Sequence, residues 1–367
     1  MGVPVYCVVE KTTESAIYSK YCDKSYLIPG VETSPLLLRH ALNNIGQHIQ
    51  LPAVIFPATD SSVTTLARII DHLPQYVASI PSLENVELMV NKKQFYASLH
   101  ALSIPHPKTL AFPESSVDEI LTQLSFPMFI KPVYSQPFAI IFRRKGYTAH
   151  SDNELRTFLQ LVERSHQPVL VQEVIPGPVP NGYVLRGYFD ANSRPKALLV
   201  AQILRQPSMF ANMSCMLSVP REELQGFDEV IIEYLHNRRY RGLFLAQVKW
   251  DPRDNMFKLL EINARSSGAN ALSARSGAYE VQHAYWEALG EQCPTLSSIT
   301  LGVYFINEVI DIESIANMIR YHSRSITSLL QSYLAPTRVF GVWSRDDPNP
   351  IIALVFQKIR QRVTSGL

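Results

Sequence analysis

Two β-rich runs, Leu243 to Trp250 and Phe257 to Asn263, flank Asp251-Pro-Arg-Asp-Asn255, and this arrangement constrains the chain more than any other feature. Pro, Asp and Asn in succession favour a tight reversal, so the two runs are expected to pair as an antiparallel hairpin. With the turn centred on Asp254, Gln247 lies opposite Glu261, Leu245 opposite Asn263 and Lys249 opposite Leu259. Opposed residues project to one face, with Cα atoms about 4.5 to 5.5 Å apart. Glu261, Asn263 and Arg265 share that face at about 6.6 Å per step of two residues. Leu260 and Ile262 are expected to point the other way, into a core. An amide, a carboxylate, a second amide and a guanidinium thus converge on one patch. Hard oxygen donors of this kind suit Mg²⁺. A solvated sheet face carrying a salt bridge fits the same residues; the apolar flanks and the following Ser266-Ser-Gly-Ala-Asn-Ala271 speak for a built site.

Upstream, Val3 to Val9 and Ala53 to Phe56 read as short buried strands. Val63, Leu66, Ile69, Ile70 and Leu73 recur at helical spacing after the N-cap candidates Thr59, Asp60 and Ser61. Alternating strands and helices predict a small parallel α/β domain over 1–88. Two mixed α+β lobes are expected over 89–290. Their elements are a helix over Lys92 to Leu102 halted by Pro105 and Pro107, and a strand Phe126 to Pro132 interrupted by a lysine. A helix follows from Ser151 to about Ser165, opened by the capping box Ser151-Asp-Asn-Glu154, and then a strand Val169 to Ile175 closed by Pro176-Gly-Pro178. Residues 291–367 show helical periodicity at Ile312, Ile315 and Ile319. They end in a basic amphipathic stretch, Pro350 to Arg362, expected to pack its apolar face on the body, with a membrane or partner contact as the second reading.

Composition excludes several classes. Lys plus Arg number 34 against 32 Asp plus Glu, so no single-signed field suggests a nucleic-acid partner. No apolar run approaches the length of a membrane span and no secretory pattern opens the chain, so a soluble, cytoplasmic protein is expected. The four cysteines are scattered without a CxxC pair, which argues against a disulfide framework or structural zinc. With 15 glycines and neither GxGxxG nor GxxxxGK[ST], a nucleotide site must use another device. No Ser-His-Asp or Cys-His arrangement stands out.

Phe129-Ile-Lys-Pro132, Val171-Gln-Glu-Val-Ile-Pro-Gly177 and Glu261-Ile-Asn-Ala-Arg265 follow one another in an order and spacing that resembles the ATP-grasp superfamily. Asn91-Lys92 before the Phe95 helix and Arg205-Gln-Pro207 add to the likeness, which spans about residues 50 to 290. The resemblance is to the carboxylate–amine ligase branch, with some similarity to the ATP-grasp modules of carbamoyl-phosphate synthetase. It implies an ATP-grasp fold, two α+β lobes clasping ATP, between the N-terminal α/β domain and a C-terminal helical extension (291–367). By the same resemblance Lys131 contacts the α/β-phosphates and Lys92 is a second nucleotide lysine. Gln172, Glu173, Val174 and Ile175 form the adenine linker. Gln247, Glu261 and Asn263 hold Mg²⁺, with Mn²⁺ as a substitute, and Arg265 stabilises the transferring phosphoryl group. Arg186, Arg205, Ser266 and Ser267 are its candidate substrate contacts. Tyr134 and Ser135 lie in the segment that closes over the phosphates, followed by Arg143-Arg-Lys145. The implied reaction converts a small-molecule carboxylate to an acyl phosphate that an amine attacks, giving an amide and ADP. The alternatives are carboxylate or carbamate phosphorylation without an amine, and a nucleotide-binding pseudoenzyme. A homo-oligomer is compatible with either. Three departures from the pattern stand out: the closing loop Tyr134 to Phe138 lacks glycine, no acid follows Gly177, and Gln247 replaces a carboxylate. Relatives begin one strand and helix earlier, which allows a truncated start.

Overall fold

The computed structural model describes residues 2–208, 211–293, 298–320 and 326–364. In the N-terminal unit, β1 (Tyr6–Val9) pairs in parallel with β2 (Lys24–Leu27), and β3 (Ala53–Val54) with β4 (Tyr76–Val77). Leu42, Leu66, Ile69, Leu73 and Tyr76 form its core. Its helix Asp60–Ala67 starts at Thr59, whose side chain and that of Ser62 cap each other's backbone reciprocally. This box satisfies two orphan helix donors and holds Asp60 in the first turn.

The next lobe is a four-stranded antiparallel sheet of β5 (Thr109–Phe112), β6 (Met128–Pro132), β7 (Tyr147–Ala149) and β8 (Val169–Glu173), in the order β5-β8-β6-β7. The helix Asp152–Arg164 packs Leu155, Phe158, Leu159 and Val162 against it, because these positions recur on one helical face. Ser151 caps Glu154 as expected, while the Glu154 carboxylate accepts from the His150 amide at 2.8 Å, one residue upstream of a reciprocal box.

The largest sheet has seven strands: β9 (Gly182–Phe189), β10 (Pro195–Arg205), β11 (Cys215–Val219), β12 (Gly242–Asp251), β13 (Met256–Asn263), β14 (Tyr304–Ile306) and β15 (Arg338–Phe340). Their order is β13-β12-β9-β10-β11-β14-β15, antiparallel except for the last pair. Ile231, Tyr234 and Leu235 of the helix Phe227–Asn237 belong to the core on one face; Leu199, Met216, Leu245 and Phe305 cluster on the other. After Gly290 the chain is helical at Glu308–Arg320 and Asn349–Thr364, where the sequence pattern places helices, and also at Ile326–Leu334. It also supplies β14 and β15, which extend the sheet by two short strands. The last helix returns to the N-terminal unit, where Gln357 donates to the Thr12 carbonyl at 3.2 Å. No described helix is long and apolar enough to cross a membrane.

The hairpin forms with one correction. Asp251 pairs with Met256 and Lys249 with Lys258, so the turn is centred half a residue earlier than Asp254. A bulge between Gln247 and Val248 then restores Gln247 opposite Glu261 and Leu245 opposite Asn263. Leu260 is the extra residue. It does not enter the core: half-buried, it lines the cleft described below, and its carbonyl accepts from the Tyr96 hydroxyl. A bulge reorients side chains at the point where it occurs, and here it sets apart the row Glu261, Asn263.

Candidate active site

The two lobes and the N-terminal unit enclose a cleft of about 1530 Å³. Lys131 enters it from β6, the buried central strand that interrupts its apolar run with this one cation. Its Nζ lies 4.3 Å from the centre of the Tyr96 ring and donates to the Tyr96 hydroxyl. Burial, reinforced by Lys92, lowers the Lys131 pKa to about 7, against the pull of Glu261. A lysine held this way gains strongly from a polyanion. Lys92, at the start of the helix Lys92–Ala101, lines the same cleft and donates to Ser135 at 2.8 Å.

Gln172, Glu173, Val174 and Ile175 all line the cleft where β8 leaves the smaller sheet. The Gln172 amide donates to Thr109 at 2.7 Å. The Glu173 carboxylate turns away, accepting from the Lys108 amide at 2.8 Å and pairing with Arg253 of the hairpin turn at 2.8 Å. Lys249, read from sequence only as a hairpin position, braces this linker: its Nζ donates to the carbonyls of Ile175 at 2.8 Å and Gly177 at 3.3 Å.

Gln247, Glu261, Asn263 and Arg265 line the opposite wall in the expected row. The Asn263 amide donates to Glu261 at 3.2 Å. Arg265 is held on every nitrogen: Nε donates to Asp60 at 2.7 Å, Nη1 to the Ser266 carbonyl at 3.0 Å and Nη2 to Asn263 at 3.2 Å. Asp60, read from sequence only as a cap candidate, thus ties the N-terminal unit to the row. Its signal was present, since an acid in the first turn of a helix facing a cleft is free to pair outward. Tyr96 was also missed; an aromatic four residues after Lys92 lies on the same helical face.

The four substrate candidates divide. Arg205 lines the cleft, with its guanidinium bound to Asp311 at 2.9 and 2.8 Å, and Ser267 lines it too. Arg186 is not brought there. It is 1% exposed, forms a bidentate pair with buried Glu280 and donates to Asn270 at 2.8 Å. Ser266 lies off the lining, accepting from Asn270 at 2.7 Å. Arg186 therefore reaches Arg265 only through Asn270 and Ser266. The closing segment is also different from expectation. Ser135–Phe142 is a helix, not a loop, because Phe138 and Phe142 fall on one face and Phe138 is fully buried. Gln136 accepts from Ser61, and Lys145 donates to Asn212, so the segment touches both walls.

No family model matches the chain. It is 26% identical to D-aspartate ligase of Enterococcus faecium (strain Aus0004) over 200 residues, 52% of this chain and 48% of that protein, so it spans about half the length of the curated relative it matches. The biotin carboxylase domain of Hydrogenobacter thermophilus 2-oxoglutarate carboxylase, solved with MgADP, ADP and bicarbonate, superposes with a TM-score of 0.64. That superposition has 14% identity and covers 83% of this chain and 68% of the other. The chain has the ATP-grasp fold. The L-amino acid ligase of Bacillus licheniformis shares it, with a TM-score of 0.57 at 12% identity over 78% of this chain and 74% of that one.

In this ATP-grasp cleft the donor set fits Mg²⁺ of a particular kind. The Glu261 carboxylate faces Gln247 across the hairpin, Asn263 stands two residues along the same strand with its amide oxygen accepting from Arg265, and the described residues hold no cluster of three or more His, Cys, Asp or Glu suited to a resident metal. Mg²⁺ commonly takes one or two carboxylates and completes its shell with phosphate and water. Such a site suits a cation that arrives with a nucleotide.

Proposed function

We propose that this protein is an ATP-dependent carboxylate–amine ligase. The observation that carries the proposal is the convergence, on one cleft, of the buried cation Lys131 and the row Gln247, Glu261, Asn263 and Arg265 from the opposite lobe. The likeness to D-aspartate ligase supports the same reading. We assign residues 1–88 to a N-terminal α/β domain, 89–290 to the ATP-grasp domain and 291–367 to the extension. ATP lies with its adenine at Gln172 to Ile175 and its phosphates at Lys131 and Lys92.

Glu261, with the amide oxygens of Gln247 and Asn263, would hold Mg²⁺ (or Mn²⁺), which would neutralise phosphate charge. Lys131 gives its cation to the α/β-phosphates, where the low-dielectric wall strengthens the attraction. Arg265, held by Asp60, the Ser266 carbonyl and Asn263, keeps its fork fixed against the oxygens of the transferring group. The helix Ser135–Phe142 excludes water from the acyl phosphate. The work is positioning and electrostatics, which explains why no nucleophilic side chain is needed. A cytoplasmic enzyme acting as a monomer or homo-oligomer fits this chemistry. ADP release with a panel of small carboxylates and amines tests the reading: release that needs both an acid and an amine is expected. Release with the acid alone would mean a kinase-like reaction, and no release with any pair would overturn the proposal.

A further inference from the structure

Five carboxylates line the cleft among the described residues: Glu32, Asp60, Glu87, Glu173 and Glu261. Asp60 is paired with Arg265 at 2.7 Å, Glu87 with Arg68 at 3.0 Å and Glu173 with Arg253 at 2.8 Å, and Glu261 belongs to the oxygen row. Glu32 makes no ion pair among the described residues. Its carboxylate accepts a single described hydrogen bond, from the Thr59 hydroxyl at 2.8 Å. Thr59 is the cap of the helix whose next residue, Asp60, holds Arg265. The free carboxylate and the guanidinium are therefore separated by two hydrogen bonds and one peptide link.

The backbone holds Glu32 in place. Its amide donates to Glu10 at 2.9 Å and its carbonyl accepts from Thr65 at 2.6 Å. Burial raises the Glu32 pKa; Glu10 and Glu14 add to the rise, while the Thr59 bond and Lys11 oppose it. Such a carboxylate is a better proton acceptor than an ordinary glutamate.

We infer that Glu32 binds the ammonium group of the amine substrate and takes its proton. This rests on the ligase reading and assigns its second half-reaction. At the start the amine is R–NH₃⁺, which cannot attack because its electron pair is in an N–H bond. Glu32 takes one proton, and the freed pair forms the C–N bond at the acyl carbon. The C–O bond to phosphate breaks with its electrons on oxygen, and the second nitrogen proton goes to the departing phosphate. The substrate class is a primary aliphatic amine that is cationic at neutral pH, such as the α-ammonium of an amino acid.

The test compares two acceptors for wild type and Glu32→Gln, using an acid from the panel that supports ADP release. Hydroxylamine is uncharged at neutral pH and needs no base. Glu32→Gln, which can keep the Thr59 bond, should form hydroxamate at the wild-type rate while its amine-dependent turnover falls about 100-fold or more. Mg·ATP affinity by calorimetry should be unchanged. The amine-dependent rate of wild type should rise with pH through the Glu32 ionisation, and that limb should vanish in the variant. Glu10 and Glu14 raise the Glu32 pKa, Lys11 lowers it, and the Asp60–Arg265 pair lines the same cleft, so Glu10→Gln serves as the control that keeps the limb. If folded Glu32→Gln uses the amine like wild type, or loses hydroxamate formation equally, the assignment is overturned. If no pair of acid and amine releases ADP with wild type, the ligase reading falls first and this assignment with it.

Discussion

ATP binding should be coupled to proton uptake through Lys131. In the free protein burial and the nearby Lys92 lower its pKa to about 7, so at pH 7 about half the molecules carry the charge. At pH 9 about 1% do. A polyphosphate against Nζ favours the ammonium and raises the pKa of the complex toward or beyond the usual lysine value. Binding above pH 7 must therefore recruit a proton, and the dissociation constant of Mg·ATP should weaken by about 50-fold between pH 7 and pH 9, approaching tenfold per pH unit. The sign for stability runs the opposite way. Between about pH 7 and the lysine's unfolded value the unfolded chain binds more protons than the folded one, so this group makes the free protein more stable as pH rises. Calorimetry in two buffers of different ionisation enthalpy measures the uptake directly, and it should approach one proton per ATP near pH 9. Lys131→Met should weaken binding, abolish turnover and flatten the pH slope, which removes the titration of ATP itself from the comparison. A slope equal in wild type and Lys131→Met, or no net uptake in wild type, would refute the reasoning.

Glu261→Gln removes the only formal charge of the oxygen row and should be nearly inactive in ADP release. Gln247→Glu adds a carboxylate to the opposed position and should remain active with a lower Mg²⁺ requirement, read from a Mg²⁺ titration of turnover; wild-type turnover in Glu261→Gln would mean the metal lies elsewhere. Amides of Ser135–Phe142 should gain hydrogen-exchange protection on adding Mg·ATP, since Ile140 is 74% exposed and side-chain bonds from Ser61 and Lys92 secure the start of the helix. Equal protection with and without nucleotide would contradict a closing role. Arg205→Met should cost about 3 to 5 kcal/mol in chemical denaturation because it takes the cation from buried Asp311 and leaves it only the Ser214 and Tyr333 hydroxyls, and Arg205→Met combined with Asp311→Asn, which can keep those two bonds, should recover much of it. An equally damaging double variant would show that the pair is not the source of the loss.

The hairpin was legible because its information is local. Turn residues, alternation and the two-residue period are all carried within about twenty positions, and they place Gln247, Glu261 and Asn263 on one face. The agreement still hides two offsets. The turn is half a residue early and the bulge at Leu260 compensates, so Lys249 faces Lys258 and not Leu259. Nothing in Lys-Leu-Leu-Glu marks a bulge, because what selects it is the cleft on one side and the Tyr96 hydroxyl meeting the Leu260 carbonyl on the other. The helix Ser135–Phe142 was obscured by Pro137 and by the absence of a capping side chain at Tyr134; its aromatic spacing was visible but short.

The arginines show where local reading ends. Arg186 and Arg205 both stand in apolar strands, and a cation there reads equally as a ligand contact or a buried pair. Their partners decide: Glu280 is 94 residues from Arg186, and Asp311 is 106 residues from Arg205. Burying an unpaired guanidinium is prohibitively unfavourable, so each needs an acid, and only the fold shows whether that acid leaves the cation facing the cleft. The same holds for the 205 residues between Asp60 and Arg265. Asp60 belongs to the N-terminal unit and Arg265 stands two residues past the end of β13, so closing their bond requires both to be in place. If that bond sets the position of Arg265, Asp60→Asn should lower turnover about tenfold while leaving Mg·ATP affinity near wild type, because the adenine linker and Lys131 lie on other elements. A matching loss of ATP affinity would instead mean that the N-terminal unit helps shape the nucleotide pocket itself.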